Sequence, residues 1–237
     1  IAVDTETSSL NPQEANLVGI SVSYAPNIAY YIPLDHKKVK GIKKEIVLKK
    51  LKLILEDPSI KKVGQNIKYD FIIFKNNGVE LNPVDDTMLL SYTLDAGNNR
   101  HNMDTLSEIH LGHKTISYKD LVGTGKKQLN FSEVDVKAAT EYAAEDADVT
   151  LRLYEILSNR VSDEKLEKIY DVFEKPMITI LSKLETNGIK VDDTYLKKLS
   201  KKFESRLEKI EKEYFLSVFS DQRHHTSLLQ SDTNLPL

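Results

Sequence analysis

Three β-rich runs within residues 1–33 constrain the fold more than any other feature of the chain. Ile1–Val3, Val18–Tyr24 and Ile28–Ile32 read as strands, and Pro12, Pro26-Asn27 and Pro33 punctuate them. Successive strands with short links predict an antiparallel meander. The first residue is Ile1 rather than Met, and the chain is already in a strand there, so we expect a fragment whose N-terminus lies upstream.

Beyond Pro33 the apolar spacing changes from two to about three and a half. Ile42, Ile46, Leu51, Ile54 and Leu55 predict a helix with lysines on its outer face. Lys62–Gln65 predicts a short strand, and Tyr69–Lys75 a helix closed by Asn77-Gly78. Thr87–Leu94 and Thr105–Leu111 predict two more helices, and Val122–Gln128 a loop. Ser132 reads as the N-cap of a long helix reaching about Arg160, with Glu133 and Asp135 in its first turn. Strands first and helices interleaved later imply an α/β layered domain over residues 1–160. From Asp163 onward the pattern is helical only: Leu166, Ile169, Val172 and Phe173 form one stripe, Pro176 kinks or ends it, and a charged helix runs to about Phe215.

With 40% hydrophobic and 29% charged residues the chain can bury a core. It has no Cys, which excludes disulfides and thiolate metal sites and fits a reducing compartment. The formal net charge of −3 argues against a generic polyanion binder, although residues 37–75 hold twelve Lys against four acids. Such a lysine block is ordinarily a solvated helix face.

The acids carry more information. Asp4 and Glu6 are two apart on a strand, so they share one face about 7 Å apart at the backbone and repel unless a cation separates them; an exposed strand end would look the same. Asp70 stands where a strand turns into a helix, and could equally complement the helix dipole. In Tyr142-Ala-Ala-Glu-Asp146, Tyr142 and Asp146 lie one helical turn apart on a row that should face the core, while Glu145 and Asp148 point elsewhere and read as solvated. A buried carboxylate with no basic neighbour favours a cation. An all-oxygen set suits Mg²⁺ or Mn²⁺, and four carboxylates suit two such ions.

In this order, Asp4-Thr5-Glu6, Asn66-Ile-Lys-Tyr69-Asp70 and Tyr142-Ala-Ala-Glu-Asp146 resemble the three motifs of tyrosine-type proofreading 3′–5′ exonucleases. Val63-Gly-Gln-Asn, Asp86-Thr-Met and His113-Lys-Thr extend the likeness to the proofreading domain of the bacterial DNA polymerase I (family A) group, from Ile1 to about Phe215. The resemblance implies an RNase H-like mixed sheet flanked by helices and followed by an α-helical extension. It further implies hydrolysis of a single-stranded or mismatched DNA 3′ end to nucleoside 5′-monophosphates.

Carried over by position, Asp4, Glu6 and Asp146 would hold one divalent cation, Asp4 would bridge to a second, and Asp70 would hold that second ion through water. Tyr142 and Glu6 would orient the attacking water. Leu10 would wedge between the last bases and Tyr118 would stack on one. Thr5, Gln65, Asn66, Tyr69 and Arg100 would also meet the DNA. The implied partner is a frayed DNA 3′ end handled by a cytoplasmic, nucleoid-associated monomer without a membrane, in association with replication or repair proteins.

Residues 161–216 resemble the start of a polymerase half whose remainder is missing, as a truncated or split gene would leave it. Residues 217–237 lose the Lys/Glu rhythm and are expected to be a poorly ordered tail foreign to the fold. Two other outcomes stand beside the DNA exonuclease: an idle DNA-binding remnant, and an exonuclease acting on RNA.

Overall fold

A computed structural model describes residues 1–229. The meander is present: β1 (Ala2–Thr7), β2 (Leu17–Ala25) and β3 (Ile28–Pro33) pair antiparallel. Two short strands, β4 (Lys62–Gly64) and β5 (Val84–Asp86), add to β1 in parallel, giving the order β3-β2-β1-β4-β5. The sheet is therefore mixed, with β1 at its centre.

Helices α1 (Lys44–Leu55) and α2 (Lys68–Asn76) follow the meander and β4 respectively. After β5 come α3 (Thr87–Asp95), α4 (Met103–Leu111) and the short α5 (Tyr118–Val122). The chain then makes single 3-10 turns at Gly125–Lys127 and Phe131–Glu133. The 28-residue α6 (Val136–Asp163) lies across the sheet. Val3, Leu17 and Ile20 pack with α1 and α2 in one core, while Val18 and Tyr31 pack with Ala139 and Ala143 of α6 in another. A third core joins α3, α4 and the second half of α6 through Leu90, Leu106, Val149, Leu153 and Leu157.

Several local expectations are corrected. The N-cap of α6 is Asp135, whose carboxylate accepts the Lys137 and Ala138 N–H groups, and not Ser132. Ser132 lies in a 3-10 turn capped by Asn130 and Glu133, which accept reciprocally as a capping box. Strand β5 escaped the sequence reading because two of its three residues are acids, which have low β-propensity. Asp85 and Asp86 are nonetheless almost fully buried. Asp85 is neutralised by Lys61 and Lys175, both at 2.7 Å, and accepts the Tyr154 hydroxyl at 3.0 Å. Asp86 accepts the N–H groups of Asn66, Ile67 and Met88, so one carboxylate both caps α3 and fixes the turn into α2. Asn66 holds the left-handed φ of 57° that this turn requires.

The predicted stripe Leu166–Phe173 is also broken. A helical turn α7 (Glu167–Ile169) runs into a π turn (Tyr170–Glu174), which rotates Tyr170 inward and leaves Val172 and Phe173 exposed. Pro176 does not end the helix: it directly follows the π turn, in the first turn of α8 (Lys175–Asn187), so the regular helical ladder is interrupted there and then continues. The compact unit formed by Ile1–Gly188 thus includes α8, whose Ile178 joins the core beneath α1 and α2.

A second unit, from Ile189, contains α9 (Asp193–Leu229), entered through an Asp192 carboxylate that accepts the Tyr195 N–H at 2.9 Å. The tail expectation concerned residues 217–237: the helix takes in 217–229, and the rest lies outside the described residues. Among the described residues, no helix is long and apolar enough to cross a membrane.

Candidate active site

β1 delivers two acids to the face turned toward α6. The β1–β2 register shifts between Glu6 and Thr7, an irregularity at the acid-bearing end of the strand. From the opposite side α6 presents Asp146, one turn beyond Tyr142. Carboxylate oxygens of Asp4, Glu6 and Asp146 lie within 4.8 Å of one another. Asp70, in the first turn of α2, joins them from the other flank, where it accepts both the backbone N–H (2.9 Å) and the hydroxyl of Thr5. Glu6, Asp70 and Asp146 are all buried.

Among the described residues, no Lys, Arg or His nitrogen stands within 4.0 Å of any of the four. Their proton affinities respond accordingly. Burial pushes the Asp4 carboxyl up to about 6, against an opposing Thr5 N–H bond. Glu6 is driven well above the ordinary carboxylate range, by burial first and then by the charges of Asp4, Asp146 and Asp70. Asp70 and Asp146 rise likewise, burial again leading and the Asp4 charge following. The Tyr142 hydroxyl is pushed up by burial and by Asp146, so it stays protonated throughout the neutral range. A concentration of buried, mutually repelling oxygen donors is stable as an ionised set only with positive charge supplied from outside. The donor chemistry fits hard divalent cations such as Mg²⁺ or Mn²⁺.

The acids form the floor of a cleft of about 760 Å³. Leu10 stands at its rim, 95% exposed. Tyr118 lies over it, its ring stacked on Phe131 at 6.5 Å and edge-on to Tyr142 at 5.9 Å. Asn66 and Tyr69 line the opposite wall, and the Tyr69 hydroxyl donates to the Ser9 carbonyl at 2.6 Å. Gln65 also borders the cleft, but its amide group already donates to the His101 carbonyl and accepts the Thr87 hydroxyl. Thr5 is committed to Asp70. Arg100 is exposed in the segment before α4 and does not line the cleft.

Sequence reasoning missed the floor's neighbours Thr7, Ser8, Ser9, Gln128, Asn130 and Phe131. One signal for them was present, since Asn130-x-x-Glu133 has capping-box spacing. Asn130 ties that turn to β1 by donating to the Ser8 carbonyl at 2.7 Å. The expectation that Glu145 and Asp148 are solvated is corrected. Glu145 accepts the Ile116 N–H at 2.6 Å and contacts His113 Nε2 at 2.8 Å, holding the segment that leads into Tyr118. Asp148 accepts the Asn27 N–H and pairs with Arg152 at 3.2 Å.

A mixed five-stranded sheet with acids on its central strand, faced by an acid on a long crossing helix, makes up an RNase H-like fold that carries a buried acidic cluster. The chain belongs to the 3′–5′ exonuclease family, whose profile matches residues 1–162. It is 42% identical to the DNA polymerase I of Rhizobium leguminosarum over 91% of this chain and 23% of that protein. Against the DNA polymerase I of Borreliella burgdorferi it is 38% identical over 93% of this chain and 24% of that protein. The chain therefore spans about a quarter of the length of these curated relatives. Among solved structures, Brucella melitensis NrnC matches with a TM-score of 0.63 at 24% identity, covering 82% of this chain and 88% of that one. The POL domain of Pol1 from M. smegmatis, in complex with DNA primer-template and dNTP, matches at a TM-score of 0.65 and 19% identity, over 87% and 32% of the respective chains. Both likenesses show the fold.

Proposed function

We propose that this chain removes nucleotides from the 3′ end of single-stranded or mismatched DNA, releasing nucleoside 5′-monophosphates. The observation that carries the reading is the triad of carboxylate oxygens from Asp4, Glu6 and Asp146, within 4.8 Å of one another at the bottom of an open cleft. Asp4, Glu6 and Asp146 would hold one divalent cation, and Asp70 with Asp4 a second; bound there, the ions would offset the negative charge that builds on the phosphate.

The reaction adds water across the last phosphodiester. The water oxygen attacks phosphorus, the bond from phosphorus to the 3′ oxygen breaks, and that oxygen takes a proton to leave a shorter strand with a 3′ hydroxyl. Phosphoryl chemistry of this kind asks the protein for positioning and charge stabilisation more than for covalent help. Tyr142, protonated at neutral pH, orients the water by donating to it, and Glu6 accepts from it. Tyr118, backed by Phe131, offers a face on which a terminal base stacks, worth about 1–3 kcal/mol per base in single-strand sites. Leu10 at the rim is placed to separate that base from its neighbour, with Asn66 and Tyr69 toward the sugar and phosphate.

On this reading residues 1–160 are the exonuclease domain and residues 161–216 correspond to the beginning of a polymerase half. The kinship with DNA polymerase I supports DNA over RNA as substrate. Parallel time courses on matched deoxyribo- and ribo-oligonucleotides, with chromatography of the products, test both points: 5′-monophosphates released faster from DNA are expected, and faster turnover of RNA would reassign the substrate. Tyr142→Phe removes one hydrogen bond from the water and leaves the carboxylates in place. It is expected to lower the single-turnover rate about 10²-fold while keeping the melting shift produced by Mn²⁺.

A further inference from the structure

The sheet places a second feature at the same end as the acids. Glu6 pairs with Gly19, and Gly19 with Pro33, so the end of β3 lies level with the acid-bearing end of β1, one strand away across β2. The chain then turns sharply, with the Leu34 and Asp35 N–H groups both donating to the Val18 carbonyl. Beyond this turn, residues 36–44 contain five lysines and no acid.

This segment is anchored to the wall of the cleft. His36 is buried, bonded to the Tyr31 hydroxyl at 2.7 Å and packed 6.0 Å from the Phe131 ring. The Lys37 N–H donates to the Ser132 carbonyl at 2.8 Å, and its ammonium pairs with Glu133 at 2.8 Å. Phe131 and Glu133 both line the cleft. Gly41 folds back onto the end of β3, where a β-carbon would stand 2.6 Å from the Leu34 carbonyl oxygen and 2.7 Å from that of Pro33. Lys37 is thereby spent on the anchor. Lys38, Lys40 and Lys43 are exposed, and among the described residues no carboxylate lies within 4.0 Å of them. Lys38 feels Glu133 only at longer range, so three of the loop's like charges are left without an ion pair among the described residues, and such a loop in a chain of net charge −3 is complementary to a polyanion arriving at the cleft.

We propose that the loop 36–44 is a phosphate-tracking surface on which Lys38, Lys40 and Lys43 engage the backbone of single-stranded DNA upstream of the nucleotides held in the cleft. The inference rests on the exonuclease reading and adds where the rest of the strand runs. Phosphate contacts of this kind fix the strand's path without reading its sequence, and each lowers the dependence of binding on salt when removed.

The test compares two triple variants that both take the net charge from −3 to −9: Lys38, Lys40 and Lys43→Glu in the loop, and Lys197, Lys198 and Lys201→Glu on α9. kcat/KM is measured on a dinucleotide and on a strand of about 12 nucleotides, a length within single-strand footprints, from about 50 to 200 mM salt. The loop variant is expected to lose about tenfold on the longer strand at low salt, with a log–log salt slope shallower by about 2, and nothing on the dinucleotide. Lys38, Lys40 and Lys43→Gln should show a smaller loss of the same kind. Equal losses in the loop and α9 variants, or no loss in the loop variant, would overturn the proposal. Should the wild-type chain hydrolyse neither substrate, the exonuclease reading fails, and anisotropy with the same labelled strand decides the surface alone: the loop variant must still bind more weakly than the α9 variant.

Discussion

Asp146→Asn is expected to melt at a higher temperature than the wild-type chain when both are held in EDTA at about pH 7.5, and to lose 3′-end hydrolysis by about 10³-fold. The two effects have one cause. The carboxyls of Asp4, Glu6, Asp70 and Asp146 all sit above their ordinary values, with burial the largest contributor in each. Without cations, the folded chain retains protons that the unfolded chain, with carboxyls near 4, has already released. The stability linked to these groups is therefore full below about pH 4. It is lost as pH rises through the raised folded-state values, about 6 for Asp4.

Asn fills the same space without a charge to desolvate. The gain is on the order of 1–3 kcal/mol, or about 2–12 °C for a domain of this size. Mn²⁺ should raise the wild-type melting temperature more at about pH 7.5 than at about pH 5.5, because the ligands must be ionised to bind. It should scarcely move Asp146→Asn. Thermal melts at the two pH values, with and without Mn²⁺, check all of this. A lower melting temperature for Asp146→Asn in EDTA would contradict the electrostatic account.

Asp86→Ala is expected to be the most destabilising single substitution in the sheet, costing about 3 kcal/mol and about 6–12 °C in melting temperature. Its carboxyl is pushed up to about 6 by burial, yet it accepts three backbone N–H groups from two different elements. Ala would orphan all three in the interior, at about 1–3 kcal/mol each before relaxation and water entry. Removing a buried charge returns part of that cost. The loss should reach the active site, since the turn at Asn66 and Ile67 sets the first turn of α2 and with it Asp70. Asp86→Asn keeps an acceptor oxygen and should cost about 1 kcal/mol. Equilibrium urea unfolding at neutral pH measures both values. Wild-type stability in Asp86→Ala would show that water replaces the carboxylate without penalty.

The placement of the acids was more legible in the sequence than the architecture that supports it. Strand alternation alone put Asp4 and Glu6 on one face, and helical spacing put Tyr142 and Asp146 on another. Both rules are local, and the fold obeys them at the metal-type cluster. Asp70 was ambiguous because an acid in the first turn of a helix serves the dipole equally well; only the contact with Thr5, 65 residues away in sequence, separates the two readings. Asp85 and Asp86 were invisible as a strand because acids there are tolerable only through Lys61, Lys175 and distant N–H donors. Glu145 looked solvated for the same reason, its partners His113 and Ile116 arriving from another loop. The π turn at Tyr170–Glu174 broke a stripe that an ideal helical period would have kept intact. Local periodicity was readable; long-range neutralisation of buried charge was not.

We propose that the carboxylates of β1, α2 and α6 form a cation-dependent centre cutting DNA from its 3′ end. Its most direct test is a time course on a 5′-labelled single-stranded oligonucleotide, with Mn²⁺ titrated from zero against EDTA and Asp4→Ala run in parallel. The expected result is a ladder that shortens one nucleotide at a time from the 3′ end, only with the cation and only for the wild-type chain. An intact oligonucleotide at saturating Mn²⁺, or equal shortening by Asp4→Ala, would contradict it.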